Sequence, residues 1–222
     1  MSNNEKIVIF DWGGIVESHF ENEYNWNTAQ INIVNRLTRK IENLDNEKIL
    51  KAWKECSTNE IGKCISEINN MDEIKRWFER IKLKFDLDCD YDEFYKVYQE
   101  ETDKIKYYTN IVEFAHSLKS KCKIGILSNL AWIDRNRINK QYNVSKFDFV
   151  WLSFELKCKK PDERIYELVE EQCKISNEKI LFIDDSIENI QVAQRRGWKV
   201  CLATALEFEK IKKSVNDFLQ DK

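Results

Sequence analysis

Lys6-Ile7-Val8-Ile9-Phe10-Asp11-Trp12-Gly13-Gly14 is the stretch on which the reading of this chain turns. Its four consecutive apolar residues, three of them β-branched, leave no polar face. A strand with one wet side alternates apolar and polar residues, so an unbroken run describes a strand buried on both sides, as in a parallel sheet. The run ends on a carboxylate and a glycine pair, which predicts a sharp loop with an acid at its lip.

Four later segments have the same character: 123–128 (Lys-Ile-Gly-Ile-Leu-Ser), 147–152 (Phe-Asp-Phe-Val-Trp-Leu), 179–184 (Lys-Ile-Leu-Phe-Ile-Asp) and 198–202 (Trp-Lys-Val-Cys-Leu). Helical patterns separate them. Ile165, Leu168, Val169 and Cys173 fall on one face after Pro161, and Ile187, Ile190, Gln191 and Gln194 follow Ser186, with Gly197 placed to stop that helix. Phe208, Ile211, Val215 and Phe218 predict an outer C-terminal helix. Strands alternating with helices predict an α/β fold, a Rossmann-like doubly wound parallel sheet covered on both faces.

Residues 20 to about 105 read differently, as helix after helix without a strand. Ile74, Trp77, Phe78, Ile81 and Phe85 form a 3.6-residue stripe; Phe94, Val97 and Tyr98 form another, with Asp90 and Glu93 as a capping pair before it. Because this block follows the first strand, it is an insertion. The expected division is a core of residues 1–17 and 106–222 with an all-helical unit at 18–105.

With 42% hydrophobic residues, 222 residues suffice for one sizeable core and a smaller attached unit. Lys and Arg (36) nearly balance Asp and Glu (39), and no basic stripe stands out, so nucleic acid is not an expected partner. No apolar run approaches the ~18–20 residues of a membrane span. The polar start Met1-Ser2-Asn3-Asn4-Glu5-Lys6 lacks signal-peptide anatomy, and a cytoplasmic location is expected. The seven cysteines are scattered singly and only His19 and His116 accompany them, which predicts reduced thiols rather than disulfides or a zinc site.

In an open parallel sheet, ligands collect at the carboxyl ends of the strands. Those ends carry Asp11, Ser128-Asn129 and Asp184-Asp185, and Lys159-Lys160 precedes the Pro161 helix. Singly, each is an ordinary turn, cap or solvated residue. Jointly on one rim they describe a site. A carboxylate can attack phosphorus and divide one hard hydrolysis into two easier steps. Carboxylates crowded round a phosphate dianion need a hard cation between them, and Mg²⁺ suits oxygen ligands of this kind. Asp11 and Asp185 would hold it with a backbone carbonyl of the first loop. Ser128, the Asn129 amide and Lys160 would orient the phosphoryl oxygens.

These residues resemble the haloacid dehalogenase superfamily. Phe10-Asp11-Trp12-Gly13-Gly14-Ile15-Val16 looks like its first motif and Leu127-Ser128-Asn129 like its second. Lys160-Pro161-Asp162 with Ile165-Tyr166 is similar to the third, and Phe182-Ile183-Asp184-Asp185-Ser186 with Asn189 to the fourth. The helical insertion falls where that family carries its cap. The resemblance implies that Asp11 is the nucleophile and that the main-chain oxygen of Gly13 joins Asp185 on the metal. Asp184 is then a second acidic ligand or a partner of metal-bound water. Ser128 binds the phosphoryl group, and Lys160 pairs with Asp11 and phosphate. Cys158, two residues before Lys160, is read as packing.

The chain departs from the family's phosphatases at Gly13, where a second Asp usually serves as general acid and base. Such help is worth ~10²–10⁴ in rate. Some relatives resembling epoxide hydrolase N-terminal domains also carry glycine there, and Ile61-Gly62-Lys63-Cys64-Ile65-Ser66 has a similar flavour to that branch. Glu17, His19 and acids of the insertion are alternative proton donors.

The leading expectation is a Mg²⁺-dependent phosphatase of a small phosphorylated metabolite, such as a sugar phosphate. The alternatives are a metal-independent 2-haloacid dehalogenase using the same Asp11 on carbon, and a non-catalytic phosphate-binding protein on a degenerate hydrolase scaffold. Gly13 is neutral between the enzymes, whereas the Asp184-Asp185 pair argues for metal. The insertion sets substrate choice by closing over the rim, and its Trp26, Trp53 and Trp77 are expected to be core rather than substrate platform.

Overall fold

The computed structural model describes residues 5–17, 24–39, 45–59, 62–105, 107–141 and 144–221. Five strands appear where the unbroken apolar runs predict them: β1 (Ile7–Phe10), β2 (Lys123–Ser128), β3 (Phe149–Leu152), β4 (Ile180–Asp184) and β5 (Lys199–Leu202). They form one parallel sheet in the order β3-β2-β1-β4-β5. The first strand in sequence thus lies at the centre. All four of its residues are fully buried, as both-sided coverage requires.

Alternation along β1 sends successive side chains to opposite layers. Val8 and Phe10 join Ile124, Ile126, Leu181 and Ile183 in a cluster closed by α5 (Thr109–Ser117) and α10 (Phe208–Gln220). Ile7 and Ile9 join Leu127 and Phe182 on the other face, beneath α8 (Glu163–Cys173) and α9 (Ile187–Arg195). Cys158 lies in this second layer, where burial raises its thiol pKa, and its role is packing. The other α-helices described in this part are α6 (Arg135–Gln141) and the short α7 (Ser153–Leu156).

Between β1 and α5 the described residues form four α-helices: α1 (Trp26–Leu37), α2 (Asn46–Cys56), α3 (Met71–Phe85) and α4 (Tyr91–Thr102). Among the described residues this segment contains only isolated bridges and no strand. Each helix opens on a side-chain cap: Asn25, Asp45, Asn70 and Asp90 accept from main-chain N–H groups of the first turn. The predicted stripe of α3 is buried in full, and it forms a cluster of its own with Ile33, Trp53, Phe94 and Tyr98. The insertion is pinned to the sheet side through Ser66 and Glu67, among other contacts. Ser153 Oγ donates to the Ser66 carbonyl at 2.6 Å, and Lys159 pairs with Glu67 at 3.6 Å. Among the described residues no helix is long and apolar enough to cross a membrane.

Candidate active site

Register assembles the rim. Phe10 aligns with Ile183 on one side and Ile126 on the other, so Asp11 leaves the sheet beside Asp184 and near Ser128. The Asp11 N–H continues the ladder by donating to the Ile183 carbonyl at 2.9 Å. Asp11, Asp184 and Asp185 each present a carboxylate oxygen, and these oxygens lie within 4.8 Å of one another. The three acids are hard oxygen donors close enough to share one cation, a donor set that fits Mg²⁺.

Lys160 brings the positive charge. Its Nζ lies 2.8 Å from Asp11 Oδ1 and 2.7 Å from Asp184 Oδ2, and it is almost wholly buried. Burial works against its charge, but the two carboxylates outweigh that cost and raise its pKa. Burial also raises the Asp11 pKa well above the ordinary carboxylate range; Lys160 opposes that shift, and Asp184 and Asp185 add to it. Asp11 is further fixed by the Trp12 main-chain N–H at 2.6 Å.

Asp184 is held on both oxygens. Both its oxygens accept from Asn189 Nδ2 at 3.0 Å, and Oδ1 also accepts from the Ser186 N–H at 2.8 Å. With Lys160 on Oδ2, this carboxylate organises its neighbours. Asn129 has a comparable duty. Its side-chain amide donates to the Lys160 carbonyl and accepts from the Lys160 N–H, both at 2.8 Å. The side chain of Asn129 therefore clamps Lys160, which leaves its main-chain N–H as the group an anion could meet.

Asp11, Gly13, Ser128, Asn129, Lys160 and Asp185 all border one cavity of about 190 Å³, which Glu17 and Trp26 also line. Asp184, fully buried, sits behind this wall. Asp11, Gly13, Ser128, Asn129, Lys160, Asp184 and Asp185 thus lie at one place.

Four features escape sequence reasoning. Gly14 has φ +75°, and a side chain there would collide with the Asp185 carboxylate; the glycine pair signalled a turn, not this approach. Asn189 holds Asp184. Glu17, a candidate proton donor, is buried and ion-paired with Arg137, with Tyr107 Oη donating to it at 3.5 Å. Arg137 also lies 3.5 Å from Asp134, which accepts from Tyr98 Oη at 3.1 Å. His19, the other named donor, lies outside the described residues, as does Ile61. The fourth feature is a second cavity, of about 160 Å³, that shares Trp26, Asn129 and Leu130 with the first. Trp53 and Trp77 pack in the insertion's core, as expected, and also line this cavity.

The family described as "Haloacid dehalogenase-like hydrolase" matches residues 24–203. Among curated proteins none matches the chain in sequence. A HAD family enzyme from Bacteroides thetaiotaomicron, solved with magnesium and inorganic phosphate, superposes with a TM-score of 0.69 at 18% identity, covering 91% of this chain and 95% of its own. A predicted HAD-like family hydrolase from Porphyromonas gingivalis gives 0.64 at 17%, covering 98% and 99%. The L-2-haloacid dehalogenase of Xanthobacter autotrophicus gives 0.56 at 17%, covering 89% and 76%. At these identities the likeness is one of fold.

Proposed function

The chain belongs to the haloacid dehalogenase-like hydrolases, and from that premise we propose that it is a Mg²⁺-dependent phosphatase of a small phosphorylated metabolite, acting through an aspartyl-phosphate on Asp11. The observation that carries this reading is the meeting of the Asp11, Asp184 and Asp185 carboxylates within 4.8 Å of one another, with the Lys160 ammonium paired to Asp11 and Asp184. In this reading Asp11, the Gly13 carbonyl and Asp185 hold the ion, and Asp184 supports it from behind. Bound there, Mg²⁺ supplies the positive charge that lets a phosphate dianion approach three acids.

This chain's residues account for the rest. Lys160 and Trp12 N–H fix the Asp11 carboxylate, so one oxygen can align with phosphorus. That oxygen forms a bond to phosphorus as the bond to the leaving oxygen breaks. Ser128 and the Asn129 main-chain N–H would meet the phosphoryl oxygens. The leaving oxygen takes its proton from water, since Gly13 has none to give and Glu17 is held by Arg137. A second water then attacks the acyl phosphate, releasing inorganic phosphate and restoring the Asp11 carboxylate. The helical insertion at 18–105 serves as the cap over this site.

The test is phosphate release from a phosphomonoester panel with and without Mg²⁺. The proposal expects Mg²⁺-dependent release that Asp11→Asn eliminates; release surviving that change overturns it. The dehalogenase reading draws on the likeness to L-2-haloacid dehalogenases, and it has no use for the Asp184-Asp185 pair. Chloride release from a 2-chloroacid in EDTA would favour it.

A further inference from the structure

The second cavity lies where the cap meets the core and opens on the first through shared residues. Three tryptophans (Trp26, Trp53, Trp77), Tyr98 and the aliphatic Ile65 and Ile133 form much of its lining. The rings brace one another: centroids stand 5.7 Å apart for Trp53–Trp77, 6.3 Å for Trp77–Tyr98 and 6.1 Å for Trp26–Tyr98. Such a wall is rigid and cannot collapse to fill the space. An apolar cavity of ~150 Å³ accepts a benzene ring, and this one measures about 160 Å³.

Two further observations point to a ligand. Trp77 is 2% exposed, yet its indole N–H has no hydrogen-bond partner among the described residues. Buried indole donors usually find one. The charge of the lining is equally informative. Among the described residues no lysine or arginine lines the cavity, whereas the buried Asp134 carboxyl does. Arg137, 3.5 Å from Asp134, is also held by Glu17 and does not line it. A second anionic group on the substrate would therefore meet a carboxyl and no cation. A polyol fits poorly too: of the polar side chains that line the cavity, Ser57 donates to the Trp53 carbonyl, Asn129 clamps Lys160 and Asp134 accepts from Tyr98, which leaves Gln30 and Ser66 to meet several hydroxyls.

We propose that this cavity binds the leaving group of the substrate, and that the leaving group is an uncharged, planar single-ring alcohol bearing one hydrogen-bond acceptor for the Trp77 N–H. The inference rests on the phosphatase reading above and narrows its substrate class.

The test compares kcat/KM of the full chain with Mg²⁺ on benzyl phosphate, methyl phosphate, a hexose 6-phosphate and phosphoglycolate. Benzyl phosphate departs as an ordinary alkoxide, so its advantage reports binding rather than leaving-group chemistry. It is expected to exceed each of the other three at least tenfold. Ile65→Phe, which fills the cavity from a partly exposed position, is expected to lower the benzyl-to-methyl ratio at least fivefold; Trp77→Phe keeps a ring and tests the wall separately. Turnover that favours the hexose phosphate or phosphoglycolate overturns the inference and leaves the phosphatase standing. Release from no ester at all overturns the phosphatase. The cavity is then judged by tryptophan fluorescence with benzyl alcohol: saturable quenching weakened by Ile65→Phe supports it, and absence of quenching refutes it.

Discussion

Gly14 and the carboxylate of Asp185 occupy adjoining space so closely that a Cβ at residue 14 would stand 2.5 Å from Asp185 Cγ. The backbone at Gly14 is also in the left-handed region, at φ +75°, which costs other residues roughly 1–2 kcal/mol. Gly14→Ala should therefore displace Asp185 and loosen the ion site, with a modest loss of stability. We expect the Mg²⁺ concentration for half-maximal phosphate release to rise at least tenfold, as read by a metal titration. An unchanged titration would show that Asp185 is not a ligand.

Lys160 separates two buried carboxylates, Asp11 and Asp184, and among the described residues it is the cation paired with both. Lys160→Met leaves two acids facing each other without it. Removing one partner of a buried ion pair typically costs about 3–5 kcal/mol. Urea unfolding should show a loss of that order, and Mg²⁺ should restore more stability to the variant than to the parent, because it replaces the missing charge. Equal midpoints for both proteins without metal would contradict the arrangement.

Glu17 and Arg137 are buried partners, 1% and 6% exposed. Glu17→Gln leaves the guanidinium undercompensated and should destabilise the fold by about 3 kcal/mol. The double variant Glu17→Gln with Arg137→Met should recover much of that loss in a double-mutant cycle. A general acid at Glu17 would instead show as a lost basic limb in the pH–rate profile with stability intact.

Asp134 carries a pH dependence of its own. Burial raises its pKa to about 6, opposed by Arg137 and supported by Glu17. The folded protein then holds this proton more tightly than the unfolded chain, so its contribution to stability is full below about pH 4 and is lost as pH rises to about 6. The difference is on the order of 3 kcal/mol. Relative to Asp134→Asn, the parent should be more stable at pH 4.5 than at pH 7.5, measured by urea unfolding at both. A difference independent of pH would show that Asp134 ionises normally.

What the sequence determined alone follows from local physics. The runs 7–10 and 180–184 are apolar throughout because both faces of a parallel strand are buried, and this habit is visible without neighbours. A strand must also end somewhere, and residues at its carboxyl end face the rim, so Asp11, Ser128, Asp184 and Asp185 could be read as site residues. The stripe of α3 was legible for the same reason, as was the cap at Asp90. The tertiary structure decided everything that depends on pairing between distant segments. Strand order set β4 beside β1, and register set Asp184 beside Asp11; a slip of one residue would turn either side chain to the opposite face. Capture of Glu17 by Arg137, clamping of Lys160 by Asn129 and the opening among three tryptophans have no local pattern. They are products of packing between elements, where a residue's partners are chosen by geometry rather than by its neighbours in the chain.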